Sequence, residues 1–196
     1  MKRELSLGRL LRGVRAGERH LAWNHESTRC AAQCISLGSA DFDDGAAMPL
    51  RSAGPGVGDN LSPELHWSGV PEEAKELVLV LEDASVPLPR PYVHLVARGI
   101  DPSMAGLPEG ALSAENAHLY GILLGKGSGG RIGYGGPRAL RGHGPHAYHF
   151  ELFALARKLE NLETLALPSL LESVEDQVIA KGRLLGFFEQ GKIAHE

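Results

Sequence analysis

The fold is decided by Glu76-Leu77-Val78-Leu79-Val80-Leu81-Glu82, a run in which every residue between the two glutamates is apolar. A continuous apolar run of this length predicts a strand that is buried on both faces. Two more strands are predicted at 91–97 and 149–156, and glycine and proline separate these segments. Few stretches before residue 165 have helical spacing. The sequence therefore predicts a mainly β fold, an antiparallel β-sandwich, and disfavours alternating strand–helix units.

Helices are predicted near the two ends of the chain. Over residues 3–16, apolar side chains recur at helical spacing, which predicts an N-terminal amphipathic helix. Over 169–185 the same spacing predicts a C-terminal amphipathic helix, and a short strand follows at 184–188. The apolar positions are Leu7, Leu10, Leu11 and Val14 in the first helix and Leu170, Leu171, Val174, Val178 and Ile179 in the second. We expect an N-terminal helical extension at 1–30 and one main domain at 31–196.

The composition excludes several classes of protein. The 196 residues carry a formal net charge of −4, which gives no general attraction to nucleic acid or to anionic membranes. No apolar run approaches the roughly 18 residues that a membrane-spanning helix needs, and no signal-peptide pattern is present. Cys30 and Cys34 cannot supply a disulfide framework or a closed zinc site. We expect a soluble, cytoplasmic protein with two half-buried thiols.

Three histidines and a tyrosine occupy residues 142–150, a segment whose glycines and proline exclude a helix. Beyond Pro145 the residues alternate as in a strand, which places His146, Tyr148 and Phe150 on one face. The three histidines are spaced three residues apart, so neighbouring histidines point to opposite faces of a strand. We therefore do not expect them to bind one metal ion.

Polar residues also interrupt the apolar strands. Asp83 directly follows the central strand, and His94 lies within an otherwise apolar stretch. From the residues alone, Asp83 is typical of a turn-capping side chain as well as of a pocket. His94 is equally typical of a core histidine bonded to a backbone carbonyl.

A glycine-rich stretch at 125–130 matches the letters of a dinucleotide-binding fingerprint. That fingerprint requires a helix to begin directly after it, and the glycine- and proline-rich residues that follow cannot begin one. We expect a loop instead. Its Lys126 and Arg131 are either solvated charges or groups that approach an anion at the mouth of a pocket.

Four segments resemble the phosphatidylethanolamine-binding protein family, and they occur in the family's order. They are Asn60-Leu61-Ser62-Pro63-Glu64-Leu65-His66-Trp67-Ser68-Gly69-Val70-Pro71, then Asp83-Ala84-Ser85-Val86-Pro87 with His94-Leu95, then Tyr134-Gly135-Gly136-Pro137, and finally Gly144-Pro145-His146-Ala147-Tyr148. The resemblance covers roughly residues 36 to 190. The longer N-terminus is similar to the bacterial branch often labelled Raf-kinase-inhibitor-like.

This resemblance implies a pocket that accepts phosphoryl or carboxylate head groups. Three positions depart from the family pattern, because Ser85 replaces an aspartate, Leu95 a tryptophan and Ala147 an arginine. We expect these departures to affect the choice of ligand more than the fold. The ligand-binding residues that the resemblance implies are Asp83, Pro87, His94, Gly144, Pro145, His146 and Tyr148.

Three hypotheses for function follow. The first is a small-anion-binding module that regulates a kinase or another protein partner, without catalytic residues, metal or cofactor. The second is a hydrolase or isomerase of a small phosphorylated or acyl metabolite, with His146 and His94 as acid and base. The third is an interaction protein whose pocket has lost its ligand. We favour binding over catalysis, since no nucleophile motif is present. The apolar stripe of the N-terminal helix indicates a homodimer.

Overall fold

The computed structural model describes residues 7–160 and 165–191 and shows a mainly β fold with two sheets and few helices. An α-helix, α1, spans Leu167–Ser173. Short 3-10 helices span Glu18–His20, Ala22–Asn24, Leu50–Ser52, Ala117–Tyr120 and Ser128–Gly130. The strands are β1 (Ser36–Gly38), β2 (Ala46–Ala47), β3 (Leu65–Ser68), β4 (Glu76–Asp83), β5 (Tyr92–Ile100), β6 (Gly106–Leu107), β7 (Leu123–Leu124), β8 (His146–Leu155) and β9 (Val178–Phe188).

The larger sheet has the strand order β2-β9-β8-β4-β5-β7, and the smaller sheet has the order β1-β3-β6. Neighbouring strands are antiparallel except β2 and β9, which run parallel, so the expectation of purely antiparallel pairing is wrong at this edge. A short connection such as a hairpin cannot join parallel neighbours, and a long stretch of chain separates β2 from β9. One hydrophobic cluster contains side chains of both sheets, among them Leu37, Trp67, Leu79, Phe150 and Leu184.

Strand β4 lies at the centre of the larger sheet, and all of its residues are buried. Leu77, Leu79 and Leu81 belong to the cluster shared with the smaller sheet. Val78 and Val80 belong to a second cluster on the opposite face. The prediction of a strand buried on both faces is confirmed. Because both faces are apolar along most of its length, the polar residues at its end stand out as exceptions that need partners.

The predicted C-terminal helix is too long. Helix α1 ends at Ser173, and Val178 and Ile179 instead begin β9. Asp176 has a φ of 57°, which breaks the helix in the turn before the strand. Strand β9 then pairs with β8 along its length, so tertiary pairing overrides the helical spacing of these apolar residues.

The N-terminal helix is also shorter than predicted. Within the described part of the chain, residues 7–10 are helical and 11–13 form a turn, while residues 3–6 lie outside the described residues. Beyond this turn the chain bonds to the residues that follow β4, because Ala16 N donates to Val86 O and Gly17 N to Ala84 O. Cys30 and Cys34, expected to be half-buried, are exposed. No helix in the ranges 7–160 and 165–191 is both long and apolar enough to cross a membrane.

Two buried glutamates attach the N-terminal segment to the larger sheet. Ala22 N donates to Glu82 Oε2 at 2.6 Å, and Trp23 N donates to Glu151 Oε2 at 2.9 Å. Lys181 Nζ donates to Trp23 O at 3.0 Å. Burial raises the pKa of Glu82 to about 7. Burial, and after it the charge of Glu82, raise the pKa of Glu151 well above its ordinary value. Both carboxyls therefore hold a proton to higher pH in the folded protein than in the unfolded chain.

We predict that Glu82→Gln changes how stability depends on pH. A carboxyl whose pKa rises on folding stabilises the folded state at low pH, and that contribution is lost as pH rises from about 4.5 to about 7. Relative to the variant, the wild type should lose about 3 kcal/mol of unfolding free energy over this range. Urea unfolding at several pH values measures it. Glu73→Gln, at an exposed position, is the matched control, and a pH-independent difference between wild type and Glu82→Gln would contradict the prediction.

Candidate functional site

A cavity of about 450 Å³ opens where β4, β5 and β8 approach one another. Its walls come from the ends of these strands and from the loops that follow β2, β4 and β7. The lining residues are Pro55, Asn60, Asp83, Val86, Pro87, Leu88, Tyr92, His94, Arg131, Gly135, Gly136, Arg138, Leu140, His146 and Tyr148. The predicted residues Asp83, Pro87, His94, His146 and Tyr148 are thus brought together, whereas Gly144 and Pro145 do not line the cavity.

Strand register explains this convergence. Asp83, the last residue of β4, is paired with Tyr92 on β5 and with Tyr148 on β8. The rings of His94 and Tyr148 meet edge to face with centroids 5.2 Å apart. Alternate residues of a strand share a face, so His146 and Tyr148 both lie on the cavity side of β8. The alternation predicted for this strand is what places them there.

His146 is held by partners on both ring nitrogens. Its Nδ1 lies 2.6 Å from Asp83 Oδ2, and its Nε2 lies 2.9 Å from Nδ1 of His143. His143 Nε2 in turn lies 3.1 Å from the carbonyl oxygen of Val14. Asp83, His146 and His143 are all almost fully buried. These residues form one chain of hydrogen bonds behind the wall of the cavity, and His146 has no free nitrogen for a ligand.

His94 is held on one side only. Its Nδ1 donates to Gly135 O at 2.5 Å, and Gly135 N donates to His94 O at 3.0 Å. Because a carbonyl can only accept, Nδ1 carries the proton and the neutral ring presents a lone pair at Nε2. No described residue bonds to Nε2. Burial lowers the pKa of His94, although the charge of Asp83 and the bond to Gly135 oppose the shift.

Tyr148 contributes the unpaired donor of the site. The side chain is fully buried, and no described residue meets its hydroxyl in hydrogen-bond geometry, although the Asp83 carboxylate and the backbone of Arg138 lie close to it. The nearby Asp83 carboxylate is close enough to act on it electrostatically. Burial, and after it the charge of Asp83, raise the pKa of Tyr148 well above its ordinary value, so the hydroxyl keeps its proton. A buried donor without a partner is costly, and such groups are rare unless a ligand or water bonds to them.

Two arginines stand at the mouth of the cavity. Arg131 and Arg138 are exposed, and neither forms an ion pair with a carboxylate of the described chain. Arg131 lies across Gly135, where an added Cβ would be 2.7 Å from Arg131 Cδ. The glycine-rich loop thus borders the cavity. Its only helical residues are the 3-10 turn Ser128–Gly130, so it offers no helix N-terminus for a pyrophosphate.

The positions that depart from the family pattern have separate structural roles. Ser85 N donates to Asp83 Oδ1 at 2.7 Å, and Ser85 Oγ accepts from Ala147 N at 2.9 Å. Ser85 therefore fixes the carboxylate and joins the end of β4 to β8. Leu95 is fully buried in the core and does not line the cavity.

Gly144 and Pro145 shape the neighbouring loop. Gly144 has a φ of 104°, which an L side chain rarely adopts, and an added Cβ would contact Arg12 Nε at 3.6 Å. Pro145 O accepts from Arg15 Nη1 at 3.2 Å. These two residues contact the N-terminal segment instead of the cavity.

Sequence reasoning missed several residues of the site. Asn60 accepts from Gly136 N at 2.8 Å through Oδ1 and donates to Tyr134 O through Nδ2, so it fixes the loop that carries His94's partner. A positive φ of 59° marks it as a strained turn residue, but this could not be read from the sequence. Arg138 was missed because nothing local distinguishes it from a surface arginine. No group of residues within 7–160 and 165–191 is arranged to hold a metal ion.

Comparisons with known proteins agree with this geometry. The sequence model described as phosphatidylethanolamine-binding protein matches residues 38–189. The UPF0098 protein of Methanothermobacter thermautotrophicus is 32% identical over 157 residues, which covers 80% of this chain and all of that protein.

Two solved structures are also similar to this chain. A phosphatidylethanolamine-binding protein homologue from Chlamydia trachomatis is 30% identical with a TM-score of 0.71, and the match covers 81% of this chain and 99% of that one. Escherichia coli YbcL is 25% identical with a TM-score of 0.73, covering 80% and 98%.

We predict opposite effects when two buried tyrosines are changed to phenylalanine. Tyr148→Phe removes a hydroxyl without a partner, so the unfolding free energy should stay equal or increase by up to about 1 kcal/mol. Tyr134 OH donates to Ser52 O at 3.0 Å, so Tyr134→Phe should cost about 1 kcal/mol. Chemical denaturation of both variants measures the difference. A loss of stability in Tyr148→Phe as large as that in Tyr134→Phe would show that the Tyr148 hydroxyl is structurally paired.

Proposed function

Because the chain belongs to the phosphatidylethanolamine-binding protein family, we propose that its cavity binds a small anion, a phosphoryl or carboxylate group, and that binding is its role. The observation that carries the proposal is the buried Tyr148 hydroxyl, a donor without a partner at the wall of a cavity. An oxyanion supplies the acceptor that this hydroxyl lacks.

The charges around the cavity also favour an anion. Arg131 and Arg138 stand at the mouth without paired carboxylates, and guanidinium groups bind phosphate and carboxylate oxygens in a bidentate manner. Both Asp83 oxygens already have partners. Oδ1 accepts a hydrogen bond from Ser85 N, and Oδ2 lies 2.6 Å from His146 Nδ1. These partners within the protein offset part of the Asp83 charge before a ligand enters the cavity.

Binding is better supported than turnover by His146 and His94. Both ring nitrogens of His146 have partners inside the protein, so it cannot exchange a proton with a substrate unless one of those bonds breaks. Among the residues that line the cavity there is no serine, threonine, cysteine or lysine to act as a nucleophile. We confine the proposal to a small anion, since the chemistry of the cavity supports an anion and offers no support for a kinase or another protein.

Self-association is a separate proposal. It is supported by Leu10 and Val14, whose side chains are exposed in the N-terminal segment. Sedimentation velocity tests it: a dimer that Leu10→Ser converts to a monomer supports this face as the contact, and a monomeric wild type overturns it.

Anion affinity should depend on pH through His94. Neutral His94 presents a lone pair at Nε2, whereas the protonated ring presents a donor. Burial lowers the pKa of His94 below 6.5, so the added donor appears only as pH falls below that value. Calorimetry with sulfate, whose charge is constant over this range, should give tighter binding near pH 5.5 than near pH 8, by up to about tenfold for one charge-assisted bond.

The matched variant is His94→Asn, because its amide can still donate to Gly135 O from the position of Nδ1 but has no counterpart of Nε2. This variant should lose the tightening at low pH. His66→Asn, at an exposed histidine of β3 outside the cavity, is the control and should keep it. Absence of sulfate or phosphate binding by the wild type at both pH values would overturn the proposed function.

A further inference from the structure

Residues 14–17 lie across the two loops that form one side of the cavity, and we call them the strap. On one side, Ala16 N donates to Val86 O at 2.9 Å and Gly17 N donates to Ala84 O at 3.0 Å. On the other side, Arg15 Nη1 donates to Pro145 O at 3.2 Å, and Val14 O accepts from His143 Nε2 at 3.1 Å. The strap therefore joins the loop after β4 to the loop before β8.

The strap lies outside the region that matches the family model, which begins at residue 38. Both loops that it joins carry cavity residues, since Val86 and Pro87 lie on one and Leu140 lies on the other. The strap thus supports two loops of the cavity wall from a part of the chain that the family model does not match. Its contact with the site runs through His143, a residue that the proposed function does not use.

The directions of the hydrogen bonds determine which ring nitrogens of His143 and His146 carry protons. Val14 O can only accept, so His143 Nε2 must carry a proton. With Asp83 ionised, His146 Nδ1 must carry a second proton, and the bond between the two rings needs a third. If the Asp83 carboxyl holds one of them instead, the total is the same. When every bond is made, Asp83, His146 and His143 share three mobile protons and carry no net charge.

We propose that His143 is a positioning residue that couples docking of the strap to anion binding in the cavity. This inference rests on the proposed function. With the strap docked, Val14 O fixes the His143 ring, His143 holds His146, and His146 compensates the charge of Asp83. When the strap leaves, His143 loses its outer partner and no longer fixes His146. The Asp83 charge is then less well compensated, and it repels an anion in the cavity.

Acid should release the strap. The charged or titratable groups that act on His143 are His146 on the sheet and Arg15 on the N-terminal segment, while Asp83 lies beyond His146 and Arg12 lies beside Gly144. Burial, and after it the charges of His146 and Arg15, lower the pKa of His143. A fourth proton, on His143 Nδ1, sets two N–H groups against each other and breaks the chain, and because it adds a positive charge beside the cavity, acid release of the strap does not expose the anion to an uncompensated Asp83 charge. Docking is therefore complete above the unperturbed histidine pKa of about 6.5 and weakens as pH falls below it.

The experiment combines amide hydrogen exchange at Ala16 and Gly17 with sulfate calorimetry near pH 7, in the full chain. Wild type is compared with His143→Asn, whose amide stays near His146 but cannot reach Val14, and with His143→Gln, whose amide can reach Val14. His143→Asn should lower strap protection and sulfate affinity by about five- to tenfold each, the effect of one lost hydrogen bond. His143→Gln should keep protection, and its protection should no longer fall between about pH 7 and pH 5, since an amide does not titrate there.

A variant remote from the cavity separates coupling from local damage. Ala16→Pro removes the N–H that donates to Val86 O and changes no cavity residue. It should also weaken sulfate binding. Coupling between two events is reciprocal. If undocking of the strap weakens sulfate binding by some factor, saturating sulfate should raise the protection of the Gly17 amide in the wild type by the same factor.

Two results overturn the coupling while leaving the proposed function in place. The first is that His143→Asn and Ala16→Pro both lose protection of the strap amides and still bind sulfate with the affinity of the wild type. The other is strap protection that sulfate leaves unchanged. If the wild type binds no sulfate, the proposed function fails and the coupling fails with it, while the pH dependence of strap protection still tests His143 as the strap's anchor. If strap protection depends on pH in the same way in the wild type and in His143→Gln, the role of His143 as the strap's anchor is overturned as well.

Discussion

The antiparallel register between β4 and β8 is the constraint on which the rest of the structure depends. It pairs Asp83 with Tyr148 and Glu82 with His149. Because side chains alternate between the faces of a strand, this register directs Asp83 and Tyr148 to the cavity and Glu82 to the N-terminal segment. A slip of one residue would exchange the two faces, placing Glu82 in the apolar core and Asp83 under the N-terminal segment. The site and the attachment of the N-terminal segment are thus set by one pairing.

The two faces use buried polar groups differently. On the outer face, Glu82 and Glu151 each accept a backbone N–H that holds the N-terminal segment in place, while Glu151 Oε1 and His149 Nε2 have no partner among the described residues. On the cavity face, Asp83 and His146 compensate each other, but the Tyr148 hydroxyl stays without a partner. An uncompensated group costs stability, and proteins retain such groups where binding needs them. Of the described buried atoms without a partner, the Tyr148 hydroxyl belongs to a residue that lines the cavity, and it is the one that we assign to a ligand.

Much of the fold could be predicted from local patterns. The apolar run of β4 and the alternation after Pro145 indicated strands and their buried faces, because both patterns have a period that the backbone geometry imposes. Strands β2, β6 and β7 have two residues each and are too short to show any period. The helical spacing around Val178 and Ile179 was misleading, since pairing with β8 decides their structure. That competition is tertiary and cannot be seen within the segment.

The candidate site, like the fold, could be predicted from the sequence only in part. Resemblance to the family brought Asp83, His94, His146 and Tyr148 forward, but the residues alone left Asp83 and His94 ambiguous between structural and functional roles. The roles of Asn60, Arg138 and His143 depend on loops that meet only in three dimensions, so no sequence spacing reveals them. The partners of each ring nitrogen also need coordinates, and they show that His94, and not His146, has a nitrogen without a protein partner.

The central claim is that an anion binds between Tyr148 and His94 Nε2, and imidazole ¹⁵N NMR tests it most directly. At about pH 6, just below the unperturbed histidine pKa, the account predicts that saturating sulfate moves the His94 Nε2 resonance toward that of a protonated nitrogen. The same titration of Tyr148→Phe should require more sulfate. A His94 spectrum that does not change at any sulfate concentration would contradict the account.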